Sequence, residues 1–196
     1  MIKYGLISNT DARTIEKTID LIEAHGEIWV TEVGIYSGET GNGIREYIKS
    51  KGAECFLTGI DNKKDNEEIR FEYDRLIIGN SNEVYNQIPD NSQHLILIDG
   101  NHSFPYVVSD YYCYGDKVKK GGYLCFHDAA PQAQGRDWQR MGDEKDPDMS
   151  ISLLKALDKS GLPIHFENNK SGWQKIFHEW DATDRCGGMI VFKKLA

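Results

Sequence analysis

The sequence predicts an open α/β fold: a Rossmann-like sheet of about seven strands, mostly parallel with an antiparallel final strand, and helices on both faces. Short apolar runs alternate with stretches of helical periodicity along most of the chain. The run from His94 to Asp99 is apolar at consecutive positions, as expected for a strand covered on both faces. The last two runs, Trp173 to Trp180 and Gly188 to Lys193, leave no room between them for a crossover helix, so the sheet should finish with a reversed strand.

Ile15, Ile19 and Ile22 recur at helical spacing from Asp11 to Gly26, with Thr10 or Asp11 able to cap the start and Gly26 the end. Ile28 to Gly34 reads as a strand leading into a glycine-rich turn, after which Ile44, Tyr47 and Ile48 resume helical periodicity until Gly52. Glu54 to Asp61 and Arg75 to Gly79 read as further strands, as does His94 to Asp99. Val107, Tyr111, Tyr114 and Val118 form a helix stripe, and Gly122 to Phe126 is the fifth strand. Past a polar stretch, Ile151 to Ser160 looks helical, and Pro163 to Phe166 reads as a strand before the final pair. No internal repeat or low-complexity segment interrupts the pattern.

A length of 196 residues with 39% hydrophobic content suits one domain spanning 1–196, with 1–26 as a helical lead-in. The net charge of −8 argues against a nucleic-acid partner, whose backbone is held mainly by clustered Lys and Arg. The one basic run, Lys117 to Lys120, is short and reads as a helix end, where cations suit the dipole. Cys55, Cys113, Cys125 and Cys186 are scattered and form no metal-binding pair motif; three of them lie in or beside apolar runs, as small core residues do. No signal peptide or window of transmembrane length is evident, so a soluble cytoplasmic protein without a membrane partner is expected.

The turn reads T-E-V-G-I-Y-S-G-E-T-G, with three residues between Gly34 and Gly38 rather than the tighter G-x-G-x-x-G of dinucleotide binders. Such a turn suits a ligand without a pyrophosphate. Asp61 ends the next strand, 29 residues after Glu32, where a carboxylate can accept hydrogen bonds from two ribose hydroxyls or cap a following helix. In these residues the chain resembles the class I S-adenosylmethionine-dependent methyltransferases. The resemblance covers the sequence from about residue 10 onward and matches the reversed final strand. It implies that Glu32, Gly34, Tyr36, Ser37, Gly38 and Thr40 border the methionine part of S-adenosylmethionine. Asp61 then holds the ribose, Asn80, Ser81 and Asn82 flank the adenine, and Asp99 also lies in the cofactor crevice.

A second polar tip comes after the fourth and fifth strands, which read H-L-I-L-I-D-G-N-H and G-G-Y-L-C-F-H-D. Two neighbouring strands ending at one edge should bring Asp99, His102, His127 and Asp128 together, and carboxylates with imidazoles can hold a divalent cation. The pattern resembles the small-molecule O-methyltransferases of the catechol kind, and more closely the macrocin and mycinamicin sugar O-methyltransferases and their cephalosporin hydroxylase-like relatives. That resemblance implies a metal held by Asp99, His127 and Asp128, with His102 as the catalytic base beside Asp99. His127 stands where the family more often has an acid, which moves the preference from Mg toward Mn or Zn, or leaves His127 as a hydrogen-bonding residue without metal. Asn101 replaces a frequent Asp.

The polar stretch 130–149 is long for a loop and reads as a substrate loop, with Arg136, Trp138 and Arg140 available to grip a small acceptor, or as a solvated segment. Tyr111, Tyr112 and Tyr114 read as a helix face packed partly on the sheet, His165, His178 and Trp180 as structural or rim residues, and His25 as a residue beside a helix end. Three functions stand: an O-methyltransferase acting on a small hydroxylated acceptor such as a sugar or secondary metabolite, a nicotinamide-dependent oxidoreductase, and a cofactor-binding module without catalysis. Methylation of DNA amino groups is disfavoured, because the fourth strand ends in I-D-G-N-H rather than an N-P-P-Y-like tetrapeptide. The short N-terminal region offers little lid, so a second subunit or the loop after Ala130 is expected to close the site, and a homodimer is plausible.

Overall fold

The computed structural model describes residues 2–5, 7–23, 26–62, 69–102, 104–129, 172–181 and 187–196. Several expectations lie outside them: the 130–149 loop with Arg136, Trp138 and Arg140, the helix 151–160, the strand 163–166, and His25, His165 and Cys186.

Helix α1 (Asn9–Asp20) starts two residues earlier than expected, because Ser8, not Thr10 or Asp11, is the cap. Ser8 Oγ accepts from Asp11 N at 3.1 Å, and Asp11 Oδ2 accepts in return from Ser8 N at 3.3 Å, a capping box that satisfies amides at both ends of the first turn. The helix ends at Leu21, whose N–H is held by Ile19 and Thr18 carbonyls, so Gly26 is not its cap. Gly26 instead takes a φ of 104° just before β1 (Glu27–Val33). Helix α2 (Glu39–Ser50) comes after the glycine turn, and β2 (Glu54–Asp61), β3 (Arg75–Ile78) and the short α3 (Ser81–Val84) are next. Then come β4 (Gln93–Ile98), α4 (Phe104–Tyr114), β5 (Val118–Phe126), β6 (Trp173–Glu179) and β7 (Met189–Lys194).

The strands form one sheet of order β3-β2-β1-β4-β5-β7-β6. Pairings from β3 through β5 are parallel, and β7 runs antiparallel to both of its neighbours. The reversed final strand and the seven-stranded Rossmann-like sheet are therefore as expected. One boundary differs: Val118 opens β5 instead of extending the helix stripe, and a 3₁₀ turn over Gly115–Lys117 separates the two. Lys119 and Lys120 consequently lie in a strand, so the basic run is not a helix end. Its leading half, V-K-K-G, is too polar and exposed to read as a strand from sequence.

Alternate residues of β4 enter opposite cores. Ile96 and Ile98 pack with Val33, Ile60, Leu124 and Phe126, while Leu95 and Leu97 pack with Val30, Leu57, Tyr123 and Cys125. Burial on both faces is what makes the strand apolar throughout, each such side chain contributing about 1.5–3 kcal/mol. Tyr111 and Tyr114 are buried against the first of these cores, whereas Tyr112 is exposed. Among the described residues Cys55 and Cys125 are buried and unbridged, and Cys113 is partly buried. No helix among the described residues is long and apolar enough to cross a membrane.

Candidate active site

The parallel strands β1, β2 and β4 are adjacent and end at one edge, so the polar residues just beyond them are brought together. Gly34 leaves β1 with a φ of 87°, and its N–H donates to the Ile60 carbonyl at 2.8 Å. A Cβ here would stand 2.3 Å from the Asp99 carbonyl oxygen and 2.6 Å from Gly100 Cα. Only glycine allows the turn to press so closely on the tip of β4. Asp61 closes the turn from the β2 side, its Oδ2 accepting from the Ile35 and Tyr36 amides at 3.0 and 3.3 Å. Gly34, Asp61 and Asp99 thus border one crevice, and the Asp61 carboxylate holds the turn; a helix after residue 62 for it to cap lies outside the described residues.

Among the described residues, Tyr36, Asn91 and Asp128 are the non-glycine residues with positive φ. Tyr36, 52% exposed, and Asp128 both sit at this edge. A tyrosine held in the left-handed region is strained, and such strain collects where a loop is fixed for a ligand.

Behind the turn, Glu32 is 1% exposed and accepts a short hydrogen bond from Tyr73 Oη. Burial pushes its carboxyl up to about 8, opposed by the Tyr73 and Gly41 hydrogen bonds and reinforced by Asp99 and Asp61. Gly41, inside α2, is required because a Cβ there would meet Glu32 Oε2 at 2.4 Å and Tyr73 Oη at 2.7 Å.

The second tip converges as well. Ligand atoms of Asp99, His102, His127 and Asp128 all lie within 4.8 Å of one another. His102 stands between two acids, Nδ1 at 2.6 Å from Asp128 Oδ2 and Nε2 at 3.3 Å from Asp99 Oδ1. His127 Nδ1 lies 2.9 Å from Asp99 Oδ1 and 3.6 Å from Asp128 Oδ1. Asp128 is steadied by the Gly187 amide, which donates to its Oδ1 at 2.9 Å.

Burial disfavours the charged form of His102, but hydrogen bonds to Asp128 and Asp99 outweigh it and raise the imidazole to about 10. His127 is likewise raised well above the ordinary range, its burial overcome by Asp99 and by a hydrogen bond to Asp11. Burial works against the Asp99 and Asp128 carboxylates, yet these imidazoles hold both below the usual range. The expected role of His102 as a base therefore needs relief from its neighbours, because two flanking carboxylates favour the imidazolium at neutral pH.

The donor set fits a divalent cation. Oxygen and nitrogen atoms converge, and the buried His127 Nδ1 has no hydrogen-bond partner among the described residues, its ion-pair contact with Asp99 Oδ1 at 2.9 Å aside.

A family model described as a methyltransferase domain matches residues 31–129, half of the chain. The chain belongs to this methyltransferase family. Solved structures agree on the fold of the methyltransferase. A protein from Corynebacterium glutamicum superposes with a TM-score of 0.60 at 16% identity, over 97% of this chain and 84% of the other. The O-methyltransferase TomG from Streptomyces achromogenes, solved with SAM, gives 0.61 at 9% identity, over 94% of this chain and 79% of TomG. MycE, a methyltransferase of the mycinamycin biosynthetic pathway solved with Mg, SAH and mycinamycin VI, gives 0.57 at 18% identity. That match covers 93% of this chain but 48% of MycE, so the chain spans about half of MycE's length. A search of curated sequences finds no significant match.

The remaining residues singled out from the methyltransferase's sequence have these places. Gly38 caps α2 in the left-handed region, and Ser37 is buried, its carbonyl accepting from Arg70 N at 3.0 Å. Thr40 Oγ1 donates to the Tyr4 carbonyl at 3.1 Å and so fastens the N-terminal segment to α2. Gly79 N donates to the Asp61 carbonyl, which sets Asn80 beside Asp61 at the start of α3. Asn82 is exposed, while Ser81 Oγ donates to Asp110 Oδ1 at 2.6 Å and is engaged by α4. His178 shares a hydrogen bond with the Ala129 carbonyl and packs on Trp180, a rim role as expected. Sequence reasoning missed Tyr73 and Asp11. A glycine inside the helical pattern at Gly41 was the available sign of a close neighbour; nothing in the sequence links Asp11 to the strand tips.

Proposed function

We propose that this methyltransferase transfers the methyl group of S-adenosylmethionine to a hydroxyl of a small acceptor, such as a sugar or secondary metabolite, at a site assisted by a divalent cation. The observation that carries the reading is the contact of Gly34 with Asp99, which joins the glycine turn to the acid–histidine cluster in one crevice with Asp61. Glu32, Gly34, Tyr36, Ser37, Gly38 and Thr40 form the turn that receives the methionine part, Asp61 the ribose, and Asn80 to Asn82 the adenine.

Bound S-adenosylmethionine supplies a methyl on a sulfonium, so the obstacle left to the protein is a protonated, weakly nucleophilic hydroxyl. Asp99, His127 and Asp128 would hold Mg, Mn or Zn, whose charge lowers the pKa of a nearby hydroxyl. Asp128 fixes His102 Nδ1 at 2.6 Å, which leaves Nε2 as the atom able to take the acceptor's proton. His102 can do this at neutral pH only where positive charge beside Asp99 and Asp128 relieves their hold on it. The crevice walls orient the acceptor oxygen, and orientation provides much of the acceleration in such a displacement.

Calorimetry with S-adenosylhomocysteine tests the reading. Wild-type protein should bind it, and Asp61→Ala should weaken binding about 10–100-fold through loss of charge-assisted hydrogen bonds. No binding by the wild type, or equal binding by the variant, would refute it. The resemblance of the strand tips to O-methyltransferases is what favours this activity over a nicotinamide oxidoreductase or a silent binding module, and the turn lacks the G-x-G-x-x-G of nicotinamide enzymes.

A further inference from the structure

Asp11 stands apart from every residue the proposed chemistry uses. It lies in the first turn of α1, 0% exposed, yet its Oδ2 is 3.2 Å from His127 Nε2, across 116 residues of sequence. The same oxygen accepts from Ser8 Oγ at 2.7 Å, and Oδ1 is buried without a partner among the described residues. A carboxylate kept out of water and left half-satisfied is expensive unless it serves a fixed geometry. Here the first turn of the helix favours the negative charge, and the capping box fixes the side chain's direction.

The consequence falls on His127. A carboxylate can only accept, so Nε2 of a neutral His127 must carry the hydrogen, and the lone pair is left on Nδ1. Nδ1 faces Asp99 and Asp128, has no hydrogen-bond partner among the described residues, and sits among carboxylate oxygens that call for positive charge between them, supplied either by a proton on Nδ1 or by a cation that takes its place. An acid that orients the outer nitrogen of an imidazole whose inner nitrogen faces a cation is a general way of fixing a ligand's tautomer and basicity.

We propose that Asp11 is a positioning residue that presents His127 Nδ1 as a nitrogen ligand. The cation site is thereby suited to Mn²⁺, Fe²⁺ or Zn²⁺ rather than to Mg²⁺, which prefers oxygen ligands. The inference rests on the cation site proposed for Asp99, His127 and Asp128, and it brings α1, outside residues 31–129, into the active centre.

The test is binding of MnCl2 and MgCl2 to the full chain by calorimetry, together with the ¹⁴N modulation of the electron spin echo of the Mn²⁺-loaded protein. Wild type should bind Mn²⁺ more tightly than Mg²⁺ and show nitrogen coupling. Asp11→Asn should lower Mn²⁺ affinity about 10–100-fold. In a His127→Asp background, which has no imidazole to orient, adding Asp11→Asn should change Mn²⁺ affinity by less than about 2-fold, within ordinary additivity. A merely structural role for Asp11 would instead lower affinity equally in both backgrounds, and that result, or the absence of nitrogen coupling, would overturn the inference. Failure of the wild type to bind Mn²⁺ at all would overturn both the inference and the cation site. Retained binding of S-adenosylhomocysteine would show that the methyl-donor reading survives.

Discussion

Replacing Gly34 by alanine tests whether the turn and the cluster form one site. The structure imposes two costs. The left-handed backbone, φ 87°, penalises a Cβ by about 1–2 kcal/mol. In addition, the Cβ would stand 2.3 Å from the Asp99 carbonyl, where ordinary contact begins at 3.4 Å, so backbone must move by about 1 Å at a further cost of about 1–3 kcal/mol. The sum of about 2–5 kcal/mol corresponds to a fall in Tm of roughly 4–20 °C for a domain of this size. Gly121→Ala is the control, because Gly121 has a φ of 81° with nothing among the described residues within 4 Å of a Cβ and so incurs the first cost alone. Thermal unfolding and calorimetry with S-adenosylhomocysteine on both variants separate the effects. Gly34→Ala should be the less stable and should bind at least about tenfold more weakly than wild type, since a shift of about 1 Å is costly in a preorganised site. Equal Tm values for the two variants, with wild-type binding by Gly34→Ala, would refute the idea that close backbone approach builds the crevice.

Two further outcomes are expected. His102→Ala should lose turnover of an accepted substrate by about 10²–10⁴-fold while retaining S-adenosylhomocysteine affinity, and unchanged turnover would remove His102 from the chemistry. Glu32, raised to about 8 from 4.5, favours the fold while protonated, so its contribution is complete below pH 4.5 and lost as pH rises through 8. Glu32→Gln should therefore flatten the decline of Tm between those limits, and an unaltered profile would mean that Glu32 does not titrate there.

Much of this fold was legible because β4 is buried on both faces and therefore reads as an unbroken apolar run. The reversed last strand was legible from simple reach, since the gap between Trp180 and Gly188 cannot hold a crossover helix. The start of β5 was hidden because pairing with β4 begins among lysines and glycines whose side chains carry no strand pattern. In the site, Asp99, His102, His127 and Asp128 could be foreseen because a parallel sheet gathers the residues just past the ends of its strands. Their electrostatics could not, since the charge on His102 depends on which acid lies on each side of the ring. Asp11 escaped for a different reason: its capping role in α1 already accounted for it, and its contact with His127 exists only once α1 packs on the sheet.

β7 has a bearing on how the centre is completed. Because it travels against its neighbours, its first residues arrive where theirs finish. Gly187 meets the Asp128 carboxylate there, and the Gly188 carbonyl receives the Ala129 amide. Asp128, held at a φ of 55°, thus owes its unusual pose to a segment synthesised some sixty positions later. A nascent chain released before that segment would possess every proposed ligand and still lack the clasp that aims one of them.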